Sequence, residues 1–346
     1  MRVGIAGTGA IAAKHAQAYN AIGYRITACT NRSAEKGRRF AQETGAEFVP
    51  TIEELCRRRD VDFVDLCTLP DFRLRAVELC AENSKPILVQ KPMAIDCDVA
   101  RQMIEIASRA GIVLGVVSQH RFDDSTLFLG EAICAGRLGK IIAADAYVKW
   151  YRSPEHYSRP MKGSLASEGG GALMNQGIHQ VDLLLTLAGP VKQVFGCRQL
   201  GALHCIESED VVNAVREYAS GATGVMQAAT AFWPGMPERI EIHGTRGTAI
   251  ITGDRLTTWN VQDDHGDAPQ LANEVASGAS DPMAISTLPF ERQFLDFGEA
   301  IRTGRKPVVS GREGYRAVEL VTGIYASCVS GEPVAISAYP CALPPQ

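Results

Sequence analysis

Apolar runs at residues 2–6, 24–30, 47–49, 61–67, 86–90 and 112–117 alternate with stretches of helical spacing at about 10–22, 33–44, 51–58, 72–83 and 96–110. Boundary residues support the helices. Thr51 with Glu54 makes a capping box, Asp96 can cap the helix after it, and Gly23, Gly45 and Gly111 stand where helices should stop. Six short strands alternating with helices predict a parallel, doubly wound sheet. The right-handed crossover rule leaves few topologies for it.

The pattern changes near residue 120. A helix is expected at 122–136 and a long strand at 140–151, then a polar loop at 152–168. A glycine run opens a helix over Gly171–Leu187. Strand-like segments follow at 191–200, 210–218, 222–232, 237–244, 247–252 and 255–260, some separated by short turns such as Ser220-Gly221, as in an antiparallel sheet. A long loop at 262–289 and two helices at 290–303 and 312–330 complete the pattern, the second with a Ser310/Glu313 capping box. We therefore expect two domains, 1–119 and 120–346, in an α/β chain.

Composition narrows the function. With 346 residues, 46% hydrophobic and 21% charged, the chain can bury a real core. A net charge of −4 argues against a dedicated nucleic-acid binder. No run of 18 apolar residues predicts a membrane span, and the opening Val3-Gly4-Ile5-Ala6 reads as a strand and not a leader. The ten cysteines form no Cys-x-x-Cys and mostly sit in apolar runs, which predicts a reduced, cytoplasmic protein. No His spacing matches a structural zinc pattern, so no metal is expected.

Four segments carry chemistry. Gly7-Thr8-Gly9-Ala10-Ile11-Ala12 fits G-x-G-x-x-G/A between the first strand and the first helix. Gly7 allows the tight turn, Gly9 the approach of a pyrophosphate, and Ala12 close helix–strand packing. The helix N-terminus offers N–H groups to phosphate. At the end of strand two stand Asn31 and Arg32, where an NAD-selective domain usually has an acid for the ribose 2′-hydroxyl. A neutral residue followed by Arg tilts the expectation from NAD toward NADP, although Asn31 alone can also serve NAD. Gln90-Lys91-Pro92 ends strand five, at the sheet edge where such folds bind ligands. Finally, Gly169-Gly170-Gly171 precedes Asn175, His179 and Asp182 at i, i+4 and i+7, one face of a helix. A His beside an amide suits proton transfer with a hydroxyl.

In this order, these motifs and the Glu238–Thr245 strand before Gly247 resemble, over essentially the whole chain, the Gfo/Idh/MocA oxidoreductases, named for glucose–fructose oxidoreductase and inositol dehydrogenase. The resemblance implies a Rossmann domain plus a C-terminal α/β domain with a large, open, mainly antiparallel sheet. It further implies NAD or NADP, a secondary alcohol on a small polyhydroxylated substrate, and a homodimer or homotetramer built through the open sheet. Lys91 then matches the lysine of a Glu-Lys-Pro motif and His179 the catalytic histidine, with Asn175 where many members have Asp. Gln90 replaces the usual Glu. Thr68 and Pro70 stand in a segment that in the family often reads Thr-Pro-Asn-x-x-His, here with an inserted Leu69 and no His. Further candidates for substrate contact are Gln119 and Arg121 after strand six, and Lys149 and Tyr151, which alternation sends to one sheet face with Trp150 on the other.

Three functions fit these residues: a sugar or cyclitol dehydrogenase, an NAD-dependent glycosidase with no net redox, and a non-catalytic NAD(P)-binding regulator.

Overall fold

A computed structural model describes residues 1–263 and 286–336. Most of the expected 262–289 loop, and Cys341, lie outside the described residues. In chain order the elements are β1 (Arg2–Ala6), α1 (Ala10–Ala21), β2 (Arg25–Thr30), α2 (Ala34–Thr44), β3 (Glu47–Phe48), α3 (Ile52–Arg57), β4 (Phe63–Leu66), α4 (Arg73–Glu82), β5 (Ile87–Val89), α5 (Cys97–Arg109), β6 (Leu114–Val116), α6 (Asp124–Cys134), β7 (Ile141–Lys149), α7 (Pro154–Tyr157), α8 (Leu165–Glu168), α9 (Ile178–Leu187), β8 (Val191–Leu200), β9 (Glu209–Tyr218), β10 (Thr223–Ala229), β11 (Arg239–Gly244), β12 (Gly247–Thr252), β13 (Arg255–Val261), α10 (Leu288–Thr303), α11 (Gly311–Ser330) and β14 (Val334–Ala335).

Two compact units result: residues 1–119 with 286–315, and 120–285 with 316–346. The first holds a six-stranded sheet, order β3-β2-β1-β4-β5-β6, with every pairing parallel. Its helix starts follow local chemistry. Thr51 Oγ1 accepts from Glu54 N at 3.2 Å and the Asp96 carboxylate from Val99 N at 2.8 Å; Gly45, at φ 71°, closes α2. The expected break after residue 119 misses one return of the chain, because α10 belongs to the first unit. Its Phe294 stacks on Tyr19 with ring centroids 4.3 Å apart, and Phe297 meets Phe63 edge-on at 5.3 Å. Each buried ring contributes roughly 1.5–3 kcal/mol, and each such pair about 0.5–1.5 kcal/mol more.

The second unit holds an eight-stranded sheet, order β13-β12-β11-β7-β10-β9-β8-β14. All its pairings are antiparallel except β7 with β10. Helix α9 packs on β7. Ala144, Ala146 and Val148 are fully buried while the residues between them are half-exposed, the alternation of a sheet covered on one face. Among the described residues no helix is long and apolar enough to cross a membrane.

Candidate active site

The glycine turn behaves as its sequence demands. Gly7 has φ +90°, and a Cβ there would lie 2.8 Å from the Cys67 carbonyl oxygen. Its N–H donates to the Thr30 carbonyl at 2.9 Å, tying the turn to the end of β2. A Cβ on Gly9 would meet nothing within 4 Å. Gly9 caps α1 in extended conformation, with no side-chain hydrogen bond and no acid in the first turn. An open approach to uncapped, positively polarised N–H groups fits a dinucleotide pyrophosphate. Ala10 and Ile11 form that first turn. Beside it, Asn31 Nδ2 donates to Thr8 Oγ1 at 2.7 Å. The exposed Arg32 guanidinium lies 4.4 Å from the centroid of the Phe72 ring.

The loops after β4 and β5 are joined by a residue that the sequence did not single out. Arg73 is 2% exposed. Its Nε donates to the Thr68 carbonyl at 3.1 Å, and its Nη1 to the carbonyls of Gln90 and Pro92. Burial pushes its guanidinium down to about 9, so it stays charged at neutral pH. This clamp brings Thr68, Pro70, Gln90 and Lys91 to the same edge of the parallel sheet. Thr68 Oγ1 is buried with no hydrogen-bond partner among the described residues, a hydroxyl that a bound ribose or amide would satisfy. Lys91 is half-buried, and its N–H donates to Gln90 Oε1 at 3.0 Å.

In the second unit the glycine run serves packing. A Cβ on Gly170 would run into Tyr325 Oη, and one on Gly171 into the Glu209 carbonyl oxygen. That close approach lets the Glu209 carboxylate accept from Gly171 N and Leu173 N, both at 2.9 Å, and from Tyr325 Oη at 2.8 Å. Burial raises the Glu209 carboxyl above its ordinary value, against the pull of those donors. The helix then begins with a π turn, Leu173–Gly177, before α9. Asn175, inside the turn, donates through Nδ2 to the Gly170 carbonyl at 2.9 Å.

The π turn changes the expected face, because an i→i+5 turn shifts the phase of the helical residues after it. Asn175 and His179 remain half-buried, but Asp182 is buried and accepts from Arg121 Nε at 2.7 Å and Nη2 at 2.5 Å. Arg121, expected at the substrate, is thus a bidentate strut between the turn Gln119–Phe122 and α9. Gln119 starts that turn and is 3% exposed. The residue between them, passed over in the sequence, is the one that packs against His179. His120 meets the His179 ring edge-on, centroids 4.9 Å apart, and its Nδ1 lies 2.7 Å from Asp123 Oδ2. A His-x-x-Asp pair within one turn was the signal for it.

Lys149 and Tyr151 pack against aromatic rings of the second unit. Alternation puts Lys149 on the sheet face opposite α9, with Nζ 5.1 Å from the Tyr147 ring centroid, and Tyr151 packs edge-on against Trp233 at 5.0 Å. The face was legible as a pair, but not which face the helix covers.

Comparison with known proteins bears on the family and the fold. The family model described as "Oxidoreductase family, NAD-binding Rossmann fold" matches residues 1–118, and "GFO/IDH/MocA C-terminal domain" matches 127–250. A 1,5-anhydro-D-fructose reductase of Ensifer adhaerens is 26% identical over 91% of this chain and 92% of its own length. A myo-inositol 2-dehydrogenase of Thermotoga maritima is 25% identical over 92% and 94%. The crystal structure of the WlbA dehydrogenase from Bordetella pertussis, in complex with NADH and UDP-GlcNAcA, superposes with a TM-score of 0.89 at 25% identity, covering 97% of this chain and 98% of that one. With an NAD-binding turn ahead of a lysine-bearing sheet edge, and a histidine on a glycine-seated helix in a mixed-sheet unit, the chain belongs to the Gfo/Idh/MocA family of oxidoreductases.

Proposed function

We propose that this chain is an NAD(P)-dependent dehydrogenase or reductase of a secondary alcohol on a sugar, cyclitol or related polyhydroxylated molecule. The observation that carries the reading is the pairing, in the first unit, of an open Gly9 at an uncapped helix start with Lys91 on the clamped loop after β5. Bound nicotinamide supplies the hydride chemistry. The residues Gly7, Thr8, Gly9, Ala10 and Ile11 would hold the pyrophosphate, and Thr68, Pro70 and Gln90 the ribose and nicotinamide end. Lys91 and His179 move the hydroxyl proton, and Asn175 orients the same oxygen. His120, held by Asp123, stands behind His179 and supports it in place of the carboxylate that Asn175 lacks. The sugar and cyclitol substrates named for the relatives support the substrate class.

Arg32 favours NADP, since its exposed guanidinium on Phe72 can pair with a 2′-phosphate. The scattered cysteines, with no Cys-x-x-Cys among them, support a reduced, cytoplasmic setting. The sheet face opposite α9 exposes Phe195, Val215 and Val225 among the described residues, a surface suited to a second copy of the chain. The test is purified protein with NAD⁺ or NADP⁺ and pooled sugars and cyclitols. A change in nicotinamide absorbance supports the reading, and none across the pool sinks it. Release of an aryl glycoside's chromophore with no net change in absorbance would replace it with the redox-neutral glycosidase.

A further inference from the structure

Gln90 stands where the family usually has Glu, and its surroundings show what the amide does. Gln90 Oε1 accepts from Lys91 N at 3.0 Å, so the amide's other end, Nε2, faces His15 Nε2 at 2.8 Å. An amide nitrogen only donates. His15 Nε2 must therefore be the acceptor, and the ring proton must sit on Nδ1. There it is donated to Asp65 Oδ2 at 2.6 Å. Tyr19 Oη donates to the same oxygen at 2.9 Å, and Cys67 Sγ lies 3.6 Å from Asp65 Oδ1 and 3.5 Å from His15 Nδ1. Phe290 and Phe294 of α10 close the other side of the imidazole, at 5.3 and 4.9 Å between centroids. His15, Asp65 and Tyr19 are fully buried and Gln90 is 5% exposed. Every donor and acceptor in the run is determined by its neighbour.

We propose that Asp65, His15 and Gln90 form a one-way hydrogen-bond chain that fixes the Lys91 backbone, and that they are positioning residues for the lysine. The inference rests on the reading that Lys91 handles the substrate proton. The chain starts at a carboxylate and ends at the Lys91 amide, so a neutral Gln90 delivers order from an acid two residues removed. Were position 90 a carboxylate, it would accept at both ends. His15 would then take a second proton, and the net charge of the buried cluster would not change. The amide and acid forms of the site are thus alternative protonation patterns of one scaffold.

The experiment compares wild type, Gln90→Ala and Gln90→Glu. In ¹⁵N spectra of histidine-labelled protein, His15 Nδ1 should be protonated and Nε2 bare in wild type, and both protonated in Gln90→Glu. Exchange of the Lys91 amide proton should quicken by at least ~ten-fold in Gln90→Ala and return toward wild type in Gln90→Glu. With NAD⁺ and myo-inositol, or whichever pooled alcohol turns over, Gln90→Ala should lower kcat by about ten- to a hundred-fold, the cost of a small misplacement. Gln90→Glu should recover much of that loss. A proton on His15 Nε2 in wild type, or unchanged Lys91 exchange in Gln90→Ala, would overturn the chain. Normal kcat in Gln90→Ala would overturn its positioning role. If wild type oxidises no alcohol, the proposed function fails, while the spectra and exchange still decide the chain.

Discussion

Glu209 should prove to be the residue on which the histidine-bearing helix is seated. Its two oxygens take three donors, from Gly171 N, Leu173 N and Tyr325 Oη. Glu209→Ala leaves two buried N–H groups and one hydroxyl without their acceptor. At about 1–3 kcal/mol for each buried group so stranded, with some relief by repacking, the expected loss is about 3–6 kcal/mol. Glu209→Gln keeps one acceptor oxygen, which can still take Leu173 N and Tyr325 Oη. Its amide nitrogen then faces Gly171 N, donor against donor, for a loss of about 1–3 kcal/mol. All three tryptophans, Trp150, Trp233 and Trp259, lie in the second unit, so urea unfolding followed by their fluorescence reports the unit concerned. Turnover should fall along with stability, because His179 rides on the same helix. A Glu209→Ala protein within about 0.5 kcal/mol of wild type would refute the reasoning. The pH dependence has a definite sign. The carboxyl is raised in the folded chain, so its stabilising share is complete below the unfolded value near 4.5 and is lost as pH rises through the folded one. Glu209→Gln should flatten that limb of the stability curve.

Lys91→Ala should abolish turnover while nucleotide affinity, measured by fluorescence titration, stays nearly intact; near-normal turnover would remove the lysine from the mechanism. His179→Ala should lower kcat by roughly 10²–10⁴, the usual loss for an acid–base group. Gly9→Val should weaken nucleotide binding but leave the unfolding midpoint close to wild type, since a Cβ there meets no protein atom; a large drop in stability would contradict this. Arg32→Ala should lower the NADP/NAD ratio of kcat/KM, and an unchanged ratio would show that the guanidinium serves only its stack on Phe72.

What was legible in the sequence was local. The turn at Gly7 and Gly9 follows from backbone geometry within a few residues, and the caps at Thr51 and Asp96 from one side chain and one N–H. What was hidden depends on distant partners. Nothing in Leu288–Thr303 announces that its phenylalanines belong beside Tyr19 and Phe63, because an amphipathic helix does not state whose core it completes. The π turn at Leu173–Gly177 leaves no mark on hydrophobic spacing, yet it shifts the phase of His179 and Asp182 together relative to Asn175. The glycine run reads in the sequence only as a helix opening, and in the fold it admits a carboxylate from β9. Nothing in the sequence singles out Arg73, and only the folded chain shows three carbonyls converging on it.

The return of α10 to the first unit sets the order of events at the ribosome. When residue 119 has emerged, the parallel sheet has all six strands but lacks the helix that shields Tyr19, His15 and Phe63. Residues 120–285 must be made before that helix appears. At about 5–20 residues per second the wait is roughly ten to thirty seconds. During that interval a bare aromatic patch invites chaperones, and the nascent chain holds its nucleotide turn on an unfinished core. The second unit's sheet is largely synthesised first, so the segment nearest the N-terminus is among the last to be completed. A fragment ending at residue 119 should accordingly aggregate on expression, whereas one that joins 1–119 through a short linker to 286–315 should remain in solution and bind nucleotide.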